Sequence, residues 1–229
     1  MSSLAIVIPV LDEAPRIGEL LRELQPLRQA GVELVVADGG SRDGTPEIAA
    51  AFADAVIDAP RGRARQMNVG AAASRGDILL FLHADTLLPS AGVAAVMAAI
   101  EDGAQWGRFD VRIAGQAPLL RVVARMMNWR SRLTGIATGD QAIFVRREMF
   151  ERVGGYPELP LMEDIRLSAT LKRLAPPACL REQVTTSGRR WEQRGVLRTI
   201  LLMWWLRAAF FLGASPTWLA RLYGYRPAS

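Results

Sequence analysis

Ile78-Leu79-Leu80-Phe81-Leu82-His83-Ala84-Asp85 decides how the rest of this chain is read. The run is apolar until it stops on an imidazole and a carboxylate. Gly76-Asp77 precede it, and Pro89-Ser90 and an Ala/Val-rich helical pattern follow, so it reads as a strand buried on both faces. In a parallel sheet such a strand presents functional groups at its carboxyl end. On extended backbone His83 and Asp85, two apart, are expected on the same side. A plainer reading of Asp85, as a turn or cap residue ahead of Pro89, stands beside the functional one.

Outward from this run, strands alternate with helical patterns. Leu4-Ala5-Ile6-Val7-Ile8-Pro9-Val10 is a second buried run, and Pro15 opens a helix with Ile17, Leu20, Leu21 and Leu24 at helical spacing. Glu33-Leu34-Val35-Val36-Ala37 is the next strand. It enters the glycine-rich turn Asp38-Gly39-Gly40-Ser41-Arg42-Asp43-Gly44, after which Thr45 is expected to cap a helix begun by Pro46. A short strand near residues 55–57 and an Ala-rich helix near 65–73 complete the half. Strand-helix repetition at this spacing implies an open, mostly parallel α/β sheet flanked by helices. Three loops then fall where such a sheet binds ligands: residues 11–13, 38–41 and 83–85. No G-x-G-x-x-G turn follows the first strand and no Walker-type phosphate loop occurs, so phosphate must be held by other groups.

Composition sets the class. A chain of 229 residues, half of them apolar, can bury a sizeable core. Cys179, the one cysteine, permits no intramolecular disulfide, and Met1-Ser2-Ser3 leads directly into strand-like sequence and not into a signal-peptide pattern. A cytoplasmic, reducing location is expected. The net charge is +5 and is carried by arginine, Lys172 being the sole lysine. Phosphorylated ligands or an anionic membrane surface suit that charge, although an arginine-rich proteome would produce it too. Nucleic acid is not expected as a partner, because the arginines are dispersed and form no basic-aromatic module.

The stretches Ile8-Pro9-Val10-Leu11-Asp12-Glu13, Val36-Ala37-Asp38-Gly39-Gly40-Ser41-Arg42-Asp43-Gly44-Thr45, Arg65-Gln66-Met67-Asn68-Val69-Gly70-Ala71-Ala72 and residues 76–85, in this order, resemble the family 2 glycosyltransferases of the GT-A fold. The resemblance implies a nucleotide-sugar donor, UDP- or GDP-linked, in a Rossmann-like fold. Pro9 and Glu13 would line the nucleotide pocket, Asp38 would bind the base or ribose, and Arg65 would lie near the base or diphosphate. Asp85 would close an Asp-x-Asp metal motif in which His83 replaces the first aspartate. A departing nucleoside diphosphate develops charge that a cation must stabilise. Mn²⁺ or Mg²⁺ would serve, with Asp85 the direct ligand and His83 either a second ligand or a phosphate or sugar contact.

Residues 106–113 and Gly139-Asp140-Gln141-Ala142-Ile143-Phe144-Val145-Arg146 read as further strands, and Leu161-Met162-Glu163-Asp164-Ile165-Arg166-Leu167 opens a helix on two carboxylates. Favourable alignment with the helix dipole is one explanation of that pair. The resemblance supplies another, with Asp164 as general base and Glu163 as an acceptor or structural contact in an inverting single displacement. Ser187-Gly188-Arg189-Arg190-Trp191 is similar to the Gln-x-x-Arg-Trp motif of processive relatives, with Ser187 in place of Gln. There Arg190 would cover the diphosphate and Trp191 would stack on sugar. The division expected is a transferase domain over 1–186, with a nucleotide-sugar half at 1–100 and an acceptor half at 101–186. A C-terminal amphipathic helical appendage follows over 187–229. Residues 119–129 and 196–212 mix apolar, aromatic and arginine residues as interfacial helices do, and a core helix or dimer face is the rival assignment. If these helices meet the inner face of the plasma membrane, a lipid-linked acceptor follows. A nucleotidyltransferase and a non-catalytic nucleotide-sugar-binding scaffold are the alternatives. The first lacks its glycine-rich loop with Lys, and the second needs neither Asp85 nor Asp164.

Overall fold

The computed structural model of the protein describes residues 2–224, apart from the side chain of Arg190. Strand β1 (Leu4–Val10) is buried almost throughout, as its unbroken apolar sequence requires. It is followed by α1 (Ala14–Gln29), β2 (Glu33–Asp38), α2 (Thr45–Ala50), β3 (Ala55–Asp58), α3 (Arg63–Ala73) and β4 (Ile78–Phe81). These four strands lie in the order β3-β2-β1-β4, all parallel. Gly76 admits β4 beside β1, because a Cβ there would lie 2.5 Å from the Ala5 nitrogen.

The second half contributes β5 (Thr86–Leu87), α4 (Gly92–Glu101), β6 (Trp106–Ala114), α5 (Leu119–Thr134), β7 (Ile143–Arg146), α6 (Arg147–Arg152), α7 (Glu163–Leu174) and β8 (Ala178–Ser187). Helices α8 (Arg189–Arg194), α9 (Val196–Phe211) and α10 (Pro216–Tyr223) end the described chain. Strand β7 runs antiparallel between β4 and β6, β8 pairs parallel with β6, and β5 caps the edge antiparallel to β8. The result is the expected α/β sheet, mostly parallel and covered on both faces. Helices α1, α4 and α5 pack on one face through Leu21, Ile100 and Leu120. Helices α3, α6 and α7 pack on the other through Met67, Phe150 and Leu171. A third cluster, Met162, Ile165, Leu206 and Leu219, ties α9 and α10 to the start of α7. No helix among the described residues is long and apolar enough to cross a membrane.

Three local expectations are corrected, and one strand was not foreseen. The strand at residues 78–85 ends at Phe81, and the chain then turns, with the Thr86 N–H donating to the His83 carbonyl at 3.0 Å. The convergence of His83 and Asp85 is therefore a property of a turn and not of strand alternation. The glycine-led strand at 139–146 is a single 3-10 turn, Gly139–Gln141, before β7 begins at Ile143. Gln141 causes this by accepting the Thr138 N–H on its side-chain oxygen at 3.2 Å, a reciprocal cap that stops strand pairing. Thr45 is the first residue of α2 and not its cap. Gly44, at positive φ, is the cap residue, and Asp43 before it accepts on Oδ1 from the Thr45 N–H at 3.1 Å and hydroxyl at 2.5 Å. Strand β8 carries Arg181, Glu182 and Gln183 and gave no apolar run to read.

Candidate active site

The loops after β1 and β2 are built as one unit. Asp38, only 2% exposed, accepts the Gly40 and Ser41 N–H groups on Oδ2, each at 2.9 Å, and the Ser41 hydroxyl on Oδ1. Asp12 accepts the Arg42 N–H, and the Glu13 N–H donates to Thr45 Oγ1, both at 2.9 Å. From α3, buried Gln66 donates to the Val10 carbonyl at 2.6 Å and the Ala37 carbonyl at 3.1 Å, fixing the ends of β1 and β2. A Cβ on Gly39 would meet that amide at 2.9 Å, which explains one glycine of the turn. The Glu13 carboxylate pairs with Arg16 at 2.6 Å. Arg65 pairs with Glu158 at 2.9 Å, both exposed. Pro9, Glu13, Asp38 and Arg65 thus lie on the β1–β2–α3 side of the sheet edge.

A separate cleft gathers Arg63, His83, Asp85, Asp140, Glu163 and Asp164 with Met203, Arg207 and Tyr223. Six segments of the chain supply these groups. Asp85 is placed by its carbonyl, which accepts the Ser187 N–H of β8 at 3.1 Å. Its carboxylate receives only a long 3.4 Å contact from the Thr86 hydroxyl. Gly139 is the hub of the cleft. Its N–H donates to Asp164 Oδ2 at 2.7 Å, and a Cβ on it would sit 2.4 Å from His83 Cε1. His83 Nδ1 lies 3.7 Å from Asp140 Oδ1. The second Asp164 oxygen accepts the Ile165 N–H at 2.7 Å. Glu163 is buried, 4.0 Å from Arg63. Burial, reinforced by the Asp164 charge, pushes its carboxyl up to about 7, and Arg63 opposes the shift. Among the described residues no group of three or more His, Cys, Asp and Glu is arranged around a metal position.

Among the described residues three non-glycine positions adopt positive φ: Asp12, Ala142 and Met162. Each borders a segment just described: Glu13, the Gly139 turn and Glu163. Strained backbone concentrates at functional sites. The structure brings Glu163, Asp164, His83 and Asp85, all singled out in sequence, to this one cleft. It does not single out Arg63, Asp140, Arg207 or Tyr223, whose approach depends on tertiary packing. Gly139-Asp140, read as part of a strand, was the one available signal. Trp191 lies outside the cleft, packed on the core beside an apolar groove, and the Arg190 side chain is outside the described residues.

A sheet covered on both faces, with carboxylates gathered beyond its strand ends and no phosphate loop, is the plan of a GT-A nucleotide-sugar transferase. The profile of glycosyl transferase family 2 matches residues 5–154, and the chain belongs to that family. The nucleotidyltransferase alternative is thereby set aside. An undecaprenyl-phosphate 4-deoxy-4-formamido-L-arabinose transferase of Pseudomonas savastanoi pv. phaseolicola is 27% identical over 161 residues, 62% of this chain and 46% of the relative. The fold is that of S. aureus TarS (residues 1–349) in complex with UDP, at TM-score 0.67 and 17% identity over 81% of this chain and 60% of that one. A mannosyltransferase from Pyrobaculum calidifontis in complex with GDP-Man and Mn²⁺ matches at TM-score 0.60 and 23% identity, over 80% and 56% of the two chains. The chain spans less than half the length of the curated relatives it matches.

Proposed function

We propose that the protein transfers a sugar from a nucleoside-diphosphate sugar to an acceptor hydroxyl by inverting single displacement, with Asp164 as general base. The observation that carries this reading is the meeting of Asp85, His83, Glu163 and Asp164 in one cleft at the sheet edge. UDP and GDP-Man in the similar structures support a nucleotide-sugar donor. Its nucleotide would lie over the β1 and β2 loops, against Pro9, Glu13 and Asp38, with Arg65 at the margin. Asp164 keeps lone pairs for the acceptor beyond the two N–H groups it accepts. It takes the hydroxyl proton as the acceptor oxygen bonds to the anomeric carbon, and the bond to the diphosphate breaks with its electron pair leaving on oxygen. Attack opposite the leaving group inverts that carbon. Glu163, its carboxyl pushed up to about 7 and so only partly ionised near neutral pH, contacts the acceptor as a weaker competitor for its proton.

The donor set fits a divalent cation carried in by the diphosphate. Asp85 offers a carboxylate with lone pairs to spare, and His83 would be the second protein ligand. One or two protein ligands, with phosphate oxygens and water, suit Mg²⁺ or Mn²⁺, and imidazole favours Mn²⁺. When bound, the ion would stabilise charge on the departing diphosphate. The exposed apolar side chains of α5 and α9, among them Trp129, Leu133, Leu197 and Leu201, support a peripheral seat on the inner face of a membrane.

Calorimetric titration of UDP, GDP, UDP-glucose and GDP-mannose, with and without Mn²⁺, tests the donor reading. Metal-dependent micromolar binding of one nucleotide is expected, lost in Asp85→Ala and kept in Asp164→Asn. Once the donor is fixed, Asp164→Asn should lower kcat about 10²- to 10⁴-fold, the usual weight of a general base. Undiminished turnover in Asp164→Asn would remove the base assignment, and no nucleotide binding in a folded sample would remove the donor reading.

A further inference from the structure

Beside the cleft, α5 and α9 flank an open groove lined by Val122, Met126, Trp129, Ile200 and Trp204, with Trp191 of α8 at its floor. It encloses about 350 Å³, within the range of about 300–1,000 Å³ usual for small-molecule sites. Nearly all its surface is apolar except at the inner end, where Thr138, Asp140 and Arg207 border both the groove and the catalytic cleft. A ligand lying in the groove therefore ends where Asp164 begins.

Two arginines stand at that end of the groove, Arg207 lining both groove and cleft and Arg130 the groove alone. Nε and Nη2 of Arg130 and Nε of Arg207 are buried and have no hydrogen-bond partner among the described residues. A buried guanidinium nitrogen without an acceptor forfeits hydration with nothing in return, and here two cations share one low-dielectric region. Burial, and then the neighbouring Arg207 charge, press the Arg130 guanidinium down to about 10. Burial likewise lowers Arg207, with Asp164 and Asp140 countering it. Those carboxylates moderate the repulsion without filling the unpartnered nitrogens. A tetrahedral anion with several acceptor oxygens is the complement of such a pair. The other end of the groove opens between exposed apolar lips, Val122, Met126, Trp129 and Trp204 each being 46–66% exposed. Apolar channel, paired cations and catalytic carboxylate follow one another in a line.

We propose that this groove seats the acceptor, a membrane-borne amphiphile whose apolar chain lies between α5 and α9. Its phosphate is held by Arg130 and Arg207, and a hydroxyl just beyond the phosphate reaches Asp164. The acceptor role rests on the transferase reading above. Capture of a lipid phosphate by the groove does not.

The test is titration with decyl phosphate, read by the fluorescence of the groove tryptophans and by calorimetry, with inorganic phosphate and octyl glucoside as separate arms. Decyl phosphate is expected to bind at least tenfold more tightly than either. Arg130→Gln and Arg207→Gln should each weaken it tenfold or more while leaving octyl glucoside unchanged. Arg130→Met should melt no lower than the parent, since it removes an unpartnered buried cation, so a folding defect would not mimic loss of the site. Equal binding of octyl glucoside would make the groove an unspecific apolar slot, and equal binding of inorganic phosphate would make the junction a free-anion site. Insensitivity to both arginine variants would likewise overturn the proposal. Decyl phosphate binding in a protein that binds no nucleotide would leave the groove standing and the transferase reading fallen. Nucleotide binding without decyl phosphate binding would do the reverse.

Discussion

Asp38 and Arg130 are both charged groups withdrawn from water, and the protein completes one and leaves the other open. Three donors from the turn that follows it surround the Asp38 carboxylate, whereas two nitrogens of the Arg130 guanidinium meet no acceptor among the described residues. The donor edge of the sheet is thus finished by its own sequence before any ligand arrives. The junction of cleft and groove is finished only by something that is not the chain. Preorganisation on one side and an unmet electrostatic demand on the other suit an enzyme whose nucleotide donor binds a fixed loop and whose acceptor brings its own anion.

The sharpest way to break this contrast on the donor side is Asp38→Ala. The substitution removes the charged acceptor of the Gly40 and Ser41 N–H groups and the Ser41 hydroxyl, bonds of a kind worth about 1.5–3 kcal/mol each, and less where water replaces the acceptor, as at exposed Gly40. A loss of roughly 3–5 kcal/mol in urea unfolding is expected, with Asp38→Asn losing less because it keeps one carbonyl oxygen. A loss below about 1 kcal/mol would mean that water completes the turn and that the donor edge is not self-sufficient.

How far the sequence reveals such differences depends on how local their causes are. Strands β1, β2 and β4 are legible because burial on both faces demands continuous apolar sequence. The end of β4 is not, because Leu82 is fully buried although it lies outside the strand, and hydropathy registers burial without hydrogen-bond pattern. Strand β8 escapes for the opposite reason, its alternate residues Arg181 and Gln183 being exposed. Asp85 and Asp164 are legible as motif residues, yet their meeting depends on Gly139, which looks like a strand leader in sequence and acts as the contact between His83 and Asp164. Arg63 and Arg207 come from α3 and α9, 144 positions apart, and only the packing of Leu206 against Met162 and Ile165 places the second of them.

Glu163 offers a smaller test, on the cleft between the two sides. Its carboxyl, normally near 4.5, is held up to about 7 by burial and by Asp164. Between these values the folded protein keeps a proton that the unfolded chain releases, so stability falls as pH rises through that window and is flat above it. Each unit is worth 1.36 kcal/mol, giving a ceiling of about 3 kcal/mol across the interval. Glu163→Gln should match the parent near pH 5, exceed it in stability above pH 7, and abolish the slope. An unchanged slope in the variant would assign the titration to another group and place Glu163 as a carboxylate beside Asp164.

The smallest effect on folding, and the one that separates a membrane seat from a hidden core, is expected at the lips of the groove. Trp129 is 66% exposed and Trp204 is 56% exposed, so their apolar surface is already in water in the folded protein. Trp129→Ser with Trp204→Ser should therefore change unfolding free energy by no more than about 0.5 kcal/mol per site. If these side chains enter a membrane, each forfeits burial worth about 1.5–3 kcal/mol, and partition onto vesicles containing anionic lipid should fall at least tenfold. A double variant that loses several kcal/mol of stability instead would mean that a second copy of the chain covers this face. Concentration-dependent melting of the parent would then accompany it. If stability and partition were both unchanged, the aromatic lips would serve only the bound acceptor chain, and the membrane would be touched through α10, where Trp218 and Leu222 are each 48% exposed.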